Sequence, residues 1–266
     1  MTGSRPSRAE TPEPVVAERE GSVDLRVDVG VLIAHAPGTE TAHLRQFARR
    51  AAEDVVGELA SATDITWRFS LEDAARLADH DGRRPSEFLD RAIHRMVEGP
   101  YDLMVVVTDV PLVSNRERLV PGLASPLARV AVVSTRQLRS GPREQPQYAL
   151  DHEAVRWNGA TLLVHLVGHI LGARHRDAEG GVMQPYQFSP DCRAVPPMDA
   201  DVESRLHRIA GEIPGTEARP RGPLARLAFH ARSAGQNAGR IREALVHSRA
   251  PLLCCRCRCR NCRRQP

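Results

Sequence analysis

The 266-residue sequence contains no lysine; all 37 of its basic residues are arginine. That points to a compositional bias, such as a GC-rich genome, and weakens any inference from arginine abundance alone. No apolar run approaches the roughly 18 residues that a membrane-spanning helix needs, so no transmembrane segment is expected. The stretch before Ser22 is rich in proline, serine and charge and has no apolar core, which excludes a secretory signal. Residues 1–22 are expected to be a disordered leader, and the protein is expected to be cytoplasmic. Cysteine is nearly absent from the body: Cys192 stands alone before Cys254. That excludes a disulfide-stapled secreted fold. Internal repeats are missing too.

What is present is a run of histidines at metal-ligand spacing. His165-Leu166-Val167-Gly168-His169-Ile170-Leu171-Gly172-Ala173-Arg174-His175 is followed eight residues later by Met183. His165 and His169 are four apart, so on a helix their imidazoles project from one face. Gly172 can end that helix in a left-handed turn and swing His175 round as a third ligand. Three nitrogen ligands with a fourth position open describe a catalytic rather than a structural zinc site. In the motif His-Glu-x-x-His-x-x-Gly-x-x-His the residue after the first His is the general base. Here that residue is Leu166, which carries no proton. The competing reading is a buried helix whose histidines hydrogen-bond inside the core, and the apolar run from Ala160 to Val164 is compatible with it.

These residues resemble the metzincin zinc peptidases, and archaemetzincins in particular. The family pattern is His-Glu-Leu-Gly-His-x-x-Gly-x-x-His-Cys-x4-Cys-x-Met, with two further cysteines downstream. His165, Gly168, His169, Gly172, His175 and Met183 fall in register with it. The runs Tyr101–Asp109 and Val130–Arg136 also look like archaemetzincin segments, so the likeness spans roughly residues 25–210. It implies an α/β (α+β) metzincin-like single domain with a mixed, mainly parallel sheet and a long zinc-binding helix. It also implies that Met183 sits in a tight turn beneath the ligands.

The departures from the pattern matter as much. Where the family holds a second, structural zinc with cysteines, this chain has Arg176, Gly181, Asp201 and Ser204. One zinc is therefore expected, and the second is expected to be absent. General-base catalysis typically contributes about 10²–10⁴-fold, so without an acid at Leu166 turnover should be poor. Glu153 and Asp151 are candidate surrogates, but Glu153 lies about 18 Å up the same helix at 1.5 Å per residue. Glu179, on the loop between His175 and Met183, could come closer.

Charge is unevenly placed. From Arg219 onward there are twelve arginines and one acid, Glu243, a net +11 that leaves −7 on residues 1–218 of a chain carrying +4. An acidic body with a basic tail suggests an anionic partner, whether nucleic acid, acidic lipid or the body itself. Residues 214–223, rich in Gly and Pro, read as a linker. Residues 224–250 read as a basic, amphipathic helical segment with Leu224, Leu227, Ile241 and Leu245 in its stripe. In the Cys/Arg-rich tail, 251–266, five cysteines crowd between Cys254 and Cys262 with no standard zinc-knuckle spacing. That tail is expected to be disordered.

Between leader and linker, residues 23–213 are expected to form the zinc-binding domain. Strands are predicted over 25–34, 65–70, 102–108 and 129–134. Helices are predicted over 39–60, 85–98, 150–171 and 199–211. The leading functional expectation is a zinc-binding, non-proteolytic protein that uses the cleft around the metal to recognise a protein or peptide, or uses the metal structurally. The alternatives are a weak metallopeptidase or hydrolase with a surrogate base, a metal-free scaffold, and an anionic-surface binder acting through the Arg-rich tail.

Overall fold

The computed structural model describes residues 15–17, 26–63, 65–77, 86–114, 119–126, 128–140, 148–175 and 180–212. The expected linker, basic segment and Cys/Arg tail lie outside these residues, as do Arg176 and Glu179. In chain order the elements are β1 (Val15–Ala17), β2 (Arg26–His35), α1 (Thr41–Thr63), β3 (Thr66–Leu71), β4 (Ala75–Arg76), α2 (Ser86–Glu98) and β5 (Leu103–Thr108). Then follow β6 (Leu112–Val113), β7 (Leu119–Val120), β8 (Gly122–Ser125), β9 (Val130–Ser134), α3 (Thr135–Ser140), α4 (Glu153–Ile170) and α5 (Ala200–Glu212).

The main sheet runs β1-β3-β2-β5-β9-β8, with β4 pairing with β2 beside this path. The β3-β2, β2-β5 and β5-β9 pairs are parallel, while β1 and β8 join the two edges antiparallel. The expected mixed, mainly parallel sheet is therefore present. Its central strands are near-continuous Val, Ile and Leu runs because both of their faces are covered. Val27, Val29, Val31 and Ile33 of β2 share a core with Leu103, Val105 and Val107 of β5 and with apolar residues of α1 and α4. The alternate residues, such as Leu32, Met104, Val106 and Val132, pack with Phe88 and Ala92 of α2 on the opposite face. Period-two alternation thus divides one apolar run between two cores. No described helix is long and apolar enough to cross a membrane.

Six short elements depart from the sequence expectation: β1, β4, β6, β7, β8 and α3. Val15–Ala17, inside the stretch read as a leader, forms β1 along the edge of β3. The short apolar triplet satisfies backbone groups of an edge that would otherwise be open. Strand β8, Gly-Leu-Ala-Ser, carries a glycine and no alternating pattern. Only its pairing with β9 makes it a strand. Helix α3 is too short for periodicity to reveal.

Candidate metal centre

Helix α4 is buried nearly all round, which suits a sequence with an apolar run and no consistent polar stripe. His152 caps its start, its imidazole accepting a hydrogen bond from the Ala154 amide at 3.1 Å. The helix ends in a Schellman turn at Gly172. The Ala173 amide donates to the Gly168 carbonyl at 2.9 Å and the Gly172 amide to the His169 carbonyl at 3.0 Å. Gly172 itself has φ 87°, a left-handed conformation that glycine adopts without a Cβ penalty. The turn reverses the chain and returns His175 to the helix face that carries His165 and His169.

The three imidazoles converge. Nε2 of His165 and Nε2 of His169 are 3.0 Å apart, those of His169 and His175 3.1 Å, and those of His175 and His165 3.2 Å. Among the described residues these three form a group able to hold one metal ion. The tautomers follow from the opposite ring nitrogens. His165 Nδ1 lies 2.8 Å from the Val182 carbonyl and His169 Nδ1 2.9 Å from the Ala173 carbonyl. A carbonyl only accepts, so both Nδ1 atoms carry the proton and both Nε2 atoms present lone pairs. Carbonyl-oriented imidazoles of this kind are the usual outer support of a metal ligand.

The donor set fits zinc. Tetrahedral zinc with Zn–N of about 2.0–2.1 Å places its ligand nitrogens roughly 3.3–3.4 Å apart, close to the spacing here. Burial pushes the His165 imidazole down to about 4, with its backbone hydrogen bond to Val182 opposing the shift and the neighbouring histidines adding to it. Burial lowers His169 as well. Both are therefore neutral near pH 7, the form that binds a metal. His175 is exposed.

Met183 is fully buried and packs against α4 at Gly168. Its Sδ would sit 2.5 Å from a Cβ on Gly168, so the glycine is what lets the thioether reach α4. That contact places Val182, the next residue back, where its carbonyl meets His165. Leu166 follows His165 directly on the helix. It is buried in the apolar core, and its Cδ1 would lie 2.8 Å from a Cβ on Gly122 of β8. The base position is thus an apolar contact between helix and edge strand. Glu153, weighed as a surrogate, opens α4 three turns from His165. Of the positions that hold cysteines in the family pattern, the described ones are Gly181, Asp201 and Ser204, and none is a thiol.

Beside His165 opens a cavity of about 260 Å³, lined on the helix side by Thr161 and on the other by Val182, Gln184, Tyr186, Gln187 and Pro196. Sequence reasoning missed this wall. Tyr186 of that wall donates its hydroxyl to Asn158, a residue of α4 buried to 2 % exposure. No local pattern marks an asparagine in a helix as a tether for a loop thirty residues on.

No protein-family model matches the chain, and no curated protein matches it. Solved structures do. The chain is similar to the archaemetzincin of Methanopyrus kandleri, 22% identical with TM-score 0.48 over 68% of this chain and 95% of that one. It is similar to a zinc-dependent peptidase from Methanocorpusculum labreanum, 17% identical with TM-score 0.47 over 66% and 99%. A third is the Archaeoglobus fulgidus archaemetzincin complexed with malonate, 16% identical with TM-score 0.44 over 66% and 99%.

Proposed function

We propose that this chain is a non-proteolytic zinc-binding protein whose cleft recognises a protein or peptide. One observation carries the reading. Three imidazole nitrogens converge within 3.0–3.2 Å on a site whose neighbouring base position, Leu166, is packed into the core. His165, His169 and His175 would hold one zinc and leave a coordination position open. Bound there, zinc supplies Lewis acidity toward a carbonyl or carboxylate oxygen. Nothing at position 166 takes up a proton, so binding is favoured over hydrolysis. Edge strand β8 adds a backbone surface: it pairs with β9 on one side, and Leu162 and Leu166 of α4 pack over Gly122. An extended peptide can add to such an edge.

The test is metal content of the purified protein, followed by turnover of denatured protein and short peptides by wild type and Leu166→Glu. About one zinc per chain with no chelator-sensitive turnover in wild type is expected. The substitution should create such turnover, since it restores a base worth about 10²–10⁴-fold. Chelator-sensitive hydrolysis by wild type would overturn the non-proteolytic reading. Absence of zinc from a folded chain would overturn the metal reading.

A further inference from the structure

Asn158, Thr161 and His165 lie at three- and four-residue intervals on α4, so their side chains share one face. The carboxamide of Asn158 is bonded on both ends. Its Nδ2 donates to the Ala154 carbonyl at 2.7 Å and to the Ser189 carbonyl at 2.6 Å. Its Oδ1 accepts from the Ser189 amide at 2.9 Å and from the Tyr186 hydroxyl at 3.3 Å. Side chain and Ser189 backbone thus pair as two amides do across a ladder. The segment they hold has no helix or strand of its own. One turn on, the Thr161 hydroxyl and the Cys192 thiol approach to 3.9 Å, and Phe188 packs on Tyr148 with ring centroids 5.3 Å apart.

We propose that Asn158 is the positioning residue of the pocket beside the histidine triad. By pinning Tyr186 and Ser189 to α4 it sets the pocket's far wall, and with it which ligand side chain the pocket admits. The side chains lining the pocket beyond His165 are uncharged, and half-buried Tyr186 turns its hydroxyl to Asn158, while loss of solvent around the phenol keeps it in its neutral form. The pocket therefore suits an uncharged branched or aromatic group. Asn158 acts through the wall and lies two turns from His165, so the metal ligands do not depend on it. A buried asparagine satisfied at every position is also costly to replace with a group that leaves Ser189 unpaired.

The proposal rests on the triad holding zinc, and the test separates the two. The zinc-loaded full chain is titrated calorimetrically with acetohydroxamate, which meets the metal alone, and with 4-methylpentanohydroxamate, whose isobutyl group enters the pocket. Burying that group should make the second probe bind wild type at least roughly tenfold tighter than the first. Asn158→Ala should keep zinc and the acetohydroxamate affinity within about twofold while removing most of that tenfold ratio. Tyr186→Phe removes the hydroxyl bond to Asn158 but leaves the Ser189 pair in place, and should give an intermediate ratio if the alanine variant does not fold. Both affinities falling together with the ratio preserved would reduce Asn158 to a general structural role and overturn the proposal. So would an unchanged ratio with both affinities intact. If wild type binds neither probe nor zinc, the metal reading fails on its own. Amide exchange then decides the pin, which stands only if Asn158→Ala accelerates exchange at Ser189 and leaves α4 protected.

Discussion

Helix α4 and the segment from Leu171 to Asp199 each supply half of the candidate site, and they are ordered by different means. The helix carries His165 and His169 on its own hydrogen-bond ladder, buried between α1, β8 and β9. Apart from turns, the following segment has no regular structure among its described residues. Its shape comes from contacts with α4: the His165 side chain meets Val182, the Asn158 side chain meets Ser189, and the Met183 side chain reaches back to Gly168. A rigid element can therefore organise a loop that has little order of its own, provided the contacting residues sit at helical intervals. The polar ones among them point along one face of the helix.

The contrast can be broken most severely at Met183. Replacing this fully buried side chain with alanine should cost about 2–5 kcal/mol, as deletions of buried methionine do. If the segment serves the metal, zinc affinity should fall with it. Thermal melts with and without zinc, together with a chelator competition, check both effects.

Gly168→Ala attacks the same contact from the helix side. Its Cβ would fall 2.5 Å from Met183 Sδ, so overpacking of about 1–3 kcal/mol is expected. Gly57, in the middle of α1, has nothing within 4 Å of its would-be Cβ. Gly57→Ala should therefore be neutral or stabilise by up to about 1 kcal/mol. Denaturant midpoints of the two variants compare a helix glycine that a loop requires with one that nothing requires. Equal losses would dissolve the distinction.

Acid should loosen the metal-free site. His165 and His169 are held below their ordinary pKa, so the unfolded chain binds more protons than the folded one between about pH 6.5 and 4. Stability is fully present above that window and falls as pH drops through it. Tm of the metal-free protein should decline by several degrees from pH 7 to pH 4.5. A His165→Ala protein should show a shallower slope. A flat profile in wild type would mean that burial does not hold these rings neutral.

The smallest expected effect concerns the ligands themselves. His165 and His169 are each oriented by a carbonyl, while His175 is exposed and, among the described residues, no carbonyl orients its ring. His175→Ala should weaken zinc binding less than His165→Ala, with outer-shell orientation worth about 10–100-fold. Competition against a chromogenic chelator ranks the variants.

Much of this was legible in the chain. The strands of the sheet's centre are Val-rich runs bounded by turn residues, and the major helices show apolar periodicity or a capping signal. Their bounds fall within a few residues of expectation. The histidine spacing, Gly172 and Met183 could be read because each obeys a local rule of helix geometry or turn chemistry. Strand β8 was not legible, since its four residues acquire strand geometry only from β9. Asn158 and Tyr186 were not legible either, being 28 residues apart and joined only once the chain has reversed at Gly172.

By itself, then, the sequence determined where the main helices and the central strands lie, which three imidazoles can share a face, and that no acid follows the first of them. Those follow from local periodicity and residue chemistry. The tertiary structure alone decided that the Nε2 atoms meet within 3.2 Å with their Nδ1 protons committed to carbonyls. It also decided that Leu166 turns to the edge strand and that an asparagine two turns up the helix builds the pocket wall. Each of these depends on which distant backbone arrives beside α4, and packing rather than sequence spacing settles that.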